Sequence, residues 1–181
     1  MKTALKQTAY PTRGSVAWIT TCAFFMALTI ALASFGIPVP GGELYLCDIA
    51  ITTAAMLLDP IGAMLVGGIG TFIGDALYYP APMYISLVVH GLQAFTISWF
   101  AHNTFKNKPI IGAIVGLVLG VVILVTGYTI GKIYVYSTVE YAILSFPFEV
   151  LQGTIGASCG LMLTYGCHLK QIFEKRVNRR R

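Results

Sequence analysis

Charge is confined to a few places along this chain, and that confinement limits what it can fold into more than any other feature. Of twelve Lys and Arg residues, Lys2, Lys6 and Arg13 lie near the start, and Lys170, Lys175, Arg176, Arg179, Arg180 and Arg181 near the end. Lys106 and Lys108 share one short stretch, Lys132 stands alone, and apolar runs fill the intervals. Only 10% of the 181 residues are charged, against about a quarter in soluble domains, and mean hydropathy is +0.76. Hydrocarbon-facing surface cannot carry charge cheaply, so the composition indicates an integral membrane protein and excludes a water-soluble globule. The net charge of +5 does not indicate nucleic acid, because basic residues gathered at the ends of apolar spans are a topology signal.

A spanning helix takes about 20 apolar residues. Candidate helices run from Ser15 to Gly36, about Leu44 to Leu58, Ile61 to Tyr79, Met83 to His102 and Pro109 to about Gly131. A sixth starts between Tyr141 and Pro147 and continues to about Phe173. Pro38, Pro40, Gly41 and Gly42 close the first, and the tract from Lys132 to Ser145 reads as an outer loop or interfacial segment. The run from Val16 to Ala33 exceeds the roughly 7–15 residues of a signal-peptide core, so Ala31-Leu32-Ala33 reads as part of a retained span. With six spans and a cytoplasmic N-terminus, eleven of twelve basic residues fall inside and only Lys132 outside. The expected fold is all-α: a single transmembrane domain over residues 1–181, built as a bundle of six transmembrane helices. Both termini are cytoplasmic, as basic tails at about 1–14 and 171–181.

Polar residues inside the spans carry the functional signal, because each is expensive to place there. Asp75 shares a helix face with Thr71, Tyr78 and Tyr79; Ser86, His90 and Gln93 recur at i, i+4 and i+7, as do Ser145, Glu149 and Gln152. Asp48 lies near the start of the second helix on the same side of the membrane. Three such stripes at similar depth should face one another and form a polar cavity open to the exterior. Tyrosines such as Tyr78, Tyr84 and Tyr128 either rim it, stacking on a flat ligand, or form an interfacial belt. The competing reading of the stripes is a proton path or a structural hydrogen-bond network. Ala23, Ala27 and Ala31, spaced four apart in the first helix, make a shallow groove for another helix, in this chain or in a separate partner. Gly112, Gly116 and Gly120 repeat that spacing in the fifth helix and read as internal packing.

Catalytic patterns are weak. No GxxxxGK[ST] phosphate loop or HExxH zinc helix is present, and the GxSxG match at Gly156 to Gly160 falls inside an apolar helix instead of a strand-to-helix turn. Cys22, Cys47, Cys159 and Cys167 show no CxxC pairing and, even with His168, no zinc-site spacing. The expectation is a non-enzymatic protein without cofactor or metal.

The stretch Tyr45 to Phe100 resembles the substrate-binding S components of energy-coupling factor (ECF) vitamin transporters, closest to the hydroxymethylpyrimidine/pyridoxine type. Asp48, the turn Asp59-Pro60-Ile61-Gly62, the glycine-rich helix leading to Asp75, His90-Gly91-Leu92-Gln93 and the alanine repeat carry the likeness. It implies a six-helix receptor in the bacterial plasma membrane that captures a vitamin from outside. It also implies docking through Ala23, Ala27 and Ala31 onto a transmembrane scaffold subunit that is associated with two cytoplasmic ATPase subunits. For the solute, Asp75, Glu149 and Asp48 read as unpaired carboxylates with no nearby cation except Lys132 in the outer loop, which disfavours anionic vitamins. A neutral or cationic heteroaromatic ring fits, with hydroxymethylpyrimidine or pyridoxine favoured and riboflavin or thiamine admitted. Asp48, Asp75, Tyr78, Tyr84, His90, Gln93, Tyr128, Glu149 and Gln152 are the expected substrate-binding residues. A self-sufficient proton-coupled carrier, with His90 and Glu149 titrating, is the alternative.

Overall fold

The structure, a computed structural model, describes residues 10–40, 42–105 and 108–179. Lys2, Lys6, Lys106, Arg180 and Arg181, part of the charge argument, and Gly41 of the expected turn lie outside the described residues. Seven α-helices are described: α1 Val16–Ala33, α2 Cys47–Leu57, α3 Pro60–Tyr78, α4 Met83–Trp99, α5 Pro109–Gly131, α6 Val139–Leu161 and α7 Leu169–Arg179. Wider π-helical turns extend α4, α5 and α6 through Thr104, Tyr136 and Gly166. Among the described residues, four helices are long and apolar enough to cross a membrane: α1, α3, and α4 and α5 with their extensions. The chain is thus a membrane helical bundle.

The core is organised around α2, whose 11 residues rise only about 16 Å. It packs against α1, α3, α4 and α6, and every residue from Asp48 to Pro60 except Ile49 is buried. A helix apolar on all sides belongs in such an interior. Close approach depends on glycine. A Cβ on Gly67 of α3 would collide with the His90 carbonyl of α4, and one on Gly160 of α6 with the Thr52 hydroxyl of α2. Gly112 and Gly116 lie against Phe100 and Ile97, so the glycine repeat of α5 serves internal packing against α4 and its extension.

Sequence and structure part in three places. The Pro/Gly stretch after α1 is a two-stranded hairpin, β1 Gly36–Val39 antiparallel to β2 Gly42–Tyr45, so the fold is helical but not purely so. Pro38, which lacks a ladder donor, is tolerated because a two-stranded ribbon has free edges. The Lys132 to Ser145 tract is not a loop: α5 continues to Tyr136 and α6 begins at Val139, capped by Thr138, whose side chain accepts the Tyr141 amide. Pro147 sits inside α6, a position that membrane helices accommodate, and so did not mark its start. At its far end α6 does not run on to Phe173, because His168 adopts φ +57° and separates it from α7.

On the α7 side of the bundle, Asp59 ties the N-terminal segment down. Its carboxylate accepts from Arg13 Nε and Nη2 at 2.9 and 2.7 Å and from Trp18 Nε1 at 2.5 Å.

Candidate functional site

The polar stripes of α3, α4 and α6 do converge. They border a cavity of about 310 Å³ whose wall also takes in the hairpin, the first residue of α2 and the end of α5. That size lies at the lower end of small-molecule sites. Asp75, His90, Tyr128, Glu149 and Gln152, all expected from the sequence, line it.

Behind the wall, Asp48 and Gln93 are buried in a directional network. The Gln93 amide donates from Nε2 to Asp48 Oδ1 at 3.0 Å, and Gln152 Nε2 donates to Asp48 Oδ2 at 2.8 Å. Gln152 Oε1 accepts the Tyr45 backbone N–H at 2.9 Å. With its amide so oriented, Gln93 offers Oε1 to His90 Nδ1 at 2.7 Å, which makes Nδ1 the donor and leaves Nε2 the lone pair in a neutral ring. Asp48 is therefore a buried carboxylate engaged by two amides, with His90 Nδ1 3.6 Å from its Oδ1, and it anchors α2, α4 and α6 to one another. Sγ of Cys47, a carboxylate oxygen of Asp48 and a ring nitrogen of His90 lie within 4.8 Å of one another, a cluster that spacing in the sequence did not reveal. Gln93 and Gln152 already engage the Asp48 carboxylate, and Gln93 the imidazole, so the geometry gives them a hydrogen-bonding role.

Toward the mouth, Lys132 Nζ donates to Glu149 Oε1 at 2.5 Å and to Ser145 Oγ at 2.7 Å, with Thr129 Oγ1 3.4 Å from Glu149 Oε2. Two sequence expectations are corrected here. Lys132 is buried, not an outer-loop residue, and Glu149 is paired, because continuation of α5 for another turn carries the ammonium inward to α6. The signal was present in the sequence: Tyr128, Lys132 and Tyr136 follow one another at i, i+4 and i+8, one face of an extended α5.

Asp75 is different. Its Oδ2 is shielded from water and has no hydrogen-bond partner among the described residues. Nearby, Thr71 Oγ1 reaches the Ser86 carbonyl at 3.2 Å and Ser86 Oγ meets Tyr128 Oη at 2.5 Å. The Tyr128 ring stands edge-on to His90, with centroids 5.5 Å apart.

Tyr78 and Tyr84, also expected at the site, are not brought to it. They are 53% and 64% exposed and absent from the cavity wall. Tyr78 is the last residue of α3 and lies about 60° around the helix from Asp75, off the face that meets the cavity, and Tyr84 lies about 200° around α4 from Ser86. Their places are taken by Tyr45, Tyr79, Tyr136 and Tyr141. Tyr79 caps α3 in a non-helical conformation, φ −147° and ψ 80°, which turns it toward the mouth. Tyr45 Oη donates to Glu43 Oε2 at 2.7 Å within the hairpin; burial and that bond push its phenol well above its ordinary pKa. Gly42 brings the hairpin backbone close to Tyr141, whose hydroxyl would lie 2.9 Å from a Cβ there.

Ala23, Ala27 and Ala31 are all exposed along α1, a stripe that no other described part of the chain covers.

The family model described as ECF-type riboflavin transporter, S component, matches residues 13–169. An uncharacterized protein from Pyrococcus woesei, described by its position in the gap 3′ region, is 29% identical over 153 residues, 83% of this chain and 97% of that protein. The solved S component of a bacterial ECF transporter superposes with a TM-score of 0.64 at 17% identity, covering 83% of this chain and 95% of the other. At that identity the likeness is one of fold. With most of its length matched by the family model, the chain belongs to the ECF transporter S components: a membrane-embedded substrate-binding subunit, not an enzyme, that works with the membrane and ATPase subunits of an ECF module.

Proposed function

We propose that this S component captures a neutral or cationic heteroaromatic vitamin or precursor, with hydroxymethylpyrimidine or pyridoxine the best-fitting solutes. The observation that carries this is the Asp75 carboxylate, set in the wall of a cavity lined by five tyrosines and with one oxygen that no described residue hydrogen-bonds. A carboxylate short of partners at a buried site is costly, and a ligand N–H or O–H brought against it lowers that cost. An aminopyrimidine edge, an amino group beside a basic ring nitrogen, suits it best, since protonation of that nitrogen gives a charge-assisted pair. Tyr128 and its neighbours stack on the ring, and His90, Gln152 and the Lys132–Glu149 pair contact its substituents. Asp48 and Gln93 hold His90 and Gln152 in place instead of touching the solute. Lys132, the lone cation among the described lining residues, is engaged by Glu149, which keeps carboxylate vitamins disfavoured even though the carboxylates are better partnered than the sequence suggested.

The description of the matching family favours a second reading, riboflavin, for which the same tyrosines would stack on the tricyclic ring. Asp75 suits it less well, because the flavin imide edge flanks its one N–H with two carbonyl oxygens. In either case the bundle crosses the membrane six times with both termini on the cytoplasmic face, and the alanine stripe of α1 docks on the scaffold subunit.

Heating the purified protein with a panel of vitamins tests this. The true ligand at about a hundred times its dissociation constant adds about 2.7 kcal/mol of stability. Stabilisation by hydroxymethylpyrimidine or pyridoxine supports the first reading, stabilisation by riboflavin alone the second. A chain reconstituted by itself should bind the ligand without accumulating it; uptake driven by a proton gradient would instead make it a self-sufficient carrier.

A further inference from the structure

A second hollow, about 380 Å³, lies at the opposite end of α5 from the cavity described above, walled by the extensions of α4 and α6, the start of α5 and the opening turn of α7. Two polar atoms of its lining residues are shielded from water and have no partner among the described residues: His102 Nε2 and Thr164 Oγ1. Thr164 is fully buried and departs from a pattern. Thr20, Thr21, Thr52, Thr53, Thr71 and Thr154 each donate their hydroxyl to the carbonyl four residues back in their own helix. Thr164, in the widened turn Met162–Gly166, does not. A buried hydroxyl without a partner is costly, and a bound acceptor removes that cost.

Charge selects the occupant. Lys170 lines this hollow, partly buried, and enters no ion pair among the described residues. Its Nζ donates to Tyr165 Oη at 3.4 Å and stands 5.3 Å from the centre of that ring. Burial pulls the Lys170 pKa below the usual lysine range, and Glu174 one turn on offsets only part of that. The α7 ladder opens with the Ile172 N–H on the His168 carbonyl at 3.2 Å. The amides before it have no helical acceptor, and the positive end of the helix stands at the hollow. A cation would meet that end and the ammonium, and an apolar group would leave Thr164 and His102 unsatisfied. A tetrahedral oxyanion offers acceptor oxygens in several directions at once, toward α4, α6 and the helix amides. We propose that this hollow holds one phosphate-type oxyanion, bound by Lys170, Thr164, His102 and the first turn of α7. Dissolved phosphate and a phospholipid headgroup present the same oxygens. The site is independent of which solute occupies the cavity among α3, α4, α5 and α6.

Equilibrium dialysis of the full-length protein in mild detergent against radiolabelled inorganic phosphate, at fixed ionic strength, tests the assignment. The native chain should take up one phosphate saturably. Thr164→Val keeps the side-chain shape and removes the unpaired hydroxyl; Lys170→Gln removes the charge. Each should weaken uptake at least about tenfold, the loss expected for a hydrogen bond to a charged group, and leave the melting temperature and vitamin binding as they are. Lys175→Gln, on the exposed side of α7, should bind phosphate as the native chain does. If phosphate stays free but native mass spectrometry shows phosphatidylglycerol retained over phosphatidylcholine, and both Thr164→Val and Lys170→Gln abolish that preference, the oxyanion comes from a headgroup and the site stands. Failure of the native chain to hold either probe overturns the proposal, as does binding that neither Thr164→Val nor Lys170→Gln weakens. Equal losses in Lys175→Gln and Lys170→Gln overturn it too, since they signal diffuse attraction to a basic helix. Should the native chain bind neither probe while the variants lose co-purification of the membrane subunit, the hollow receives a protein side chain and the proposal fails.

Discussion

Asp48, Asp75 and Glu149 are three acidic residues in one bundle with three different arrangements. Asp48 is held by two glutamine amides, Glu149 by a lysine, and Asp75 keeps one oxygen without a partner. Substitution should separate them. Lys132→Met strips Glu149 of its ammonium partner, and removing one partner of a buried pair costs about 3–5 kcal/mol. Thermal unfolding in detergent should show that loss, and the double variant Lys132→Met with Glu149→Gln should recover most of it. Gln93→Leu removes the amide that bridges Asp48 Oδ1 and His90 Nδ1, which are 3.6 Å apart, an expected destabilisation of about 1–3 kcal/mol, visible in the same assay. Asp75→Asn should leave the melting temperature nearly unchanged and weaken vitamin binding by at least about tenfold, because a hydrogen bond to a charged group is worth about 1.5–3 kcal/mol; calorimetric titration checks it. At this scale the i, i+4, i+7 spacing and the expense of burial let the sequence mark the polar residues that the structure gathers around the cavity. It did not show how they pair. Lys132 and Glu149 are 17 positions apart, and nothing local says that the ammonium turns inward.

Among elements, the α3–α4 contact tolerates little increase in side-chain size. Gly67→Ala places a methyl against the His90 carbonyl and 2.9 Å from the Ala94 methyl. Backbone there cannot move without shifting His90, so the cost should be about 1–3 kcal/mol, accompanied by weaker vitamin binding. Gly166→Ala, where the nearest atom is a Met162 side-chain carbon at 3.4 Å, is the matched control and should change the melting temperature little. Helices α1, α3, α4 and α5 were legible to within a few residues, because long apolar runs bounded by proline and glycine leave few alternatives. The hairpin, the extension of α5 and the break before α7 were not. Each is decided where a local signal competes with contacts made at a distance: Tyr141 against Gly42, Lys132 against Glu149, and Leu169 and Phe173 against Cys22 and Phe25.

For the molecule as a whole, the proposed capture site and the proposed docking stripe occupy different faces. The cavity lies among α3, α4, α5 and α6, whereas Ala23, Ala27 and Ala31 point outward from α1. Ala27→Leu is therefore expected to bind vitamin as the native chain does while losing co-purification with the membrane subunit of the ECF module. Amino-acid order alone determined that this chain lives in a membrane as a helical bundle, because hydrocarbon admits few folds and penalises nearly every charge; its likeness to S components rested on particular motifs. Only the tertiary structure decided which polar groups reach the cavity. Whether a tyrosine one residue past a helix end faces solvent or solute, and whether a buried carboxylate is paired or left for a ligand, depends on atoms brought close by packing between distant segments.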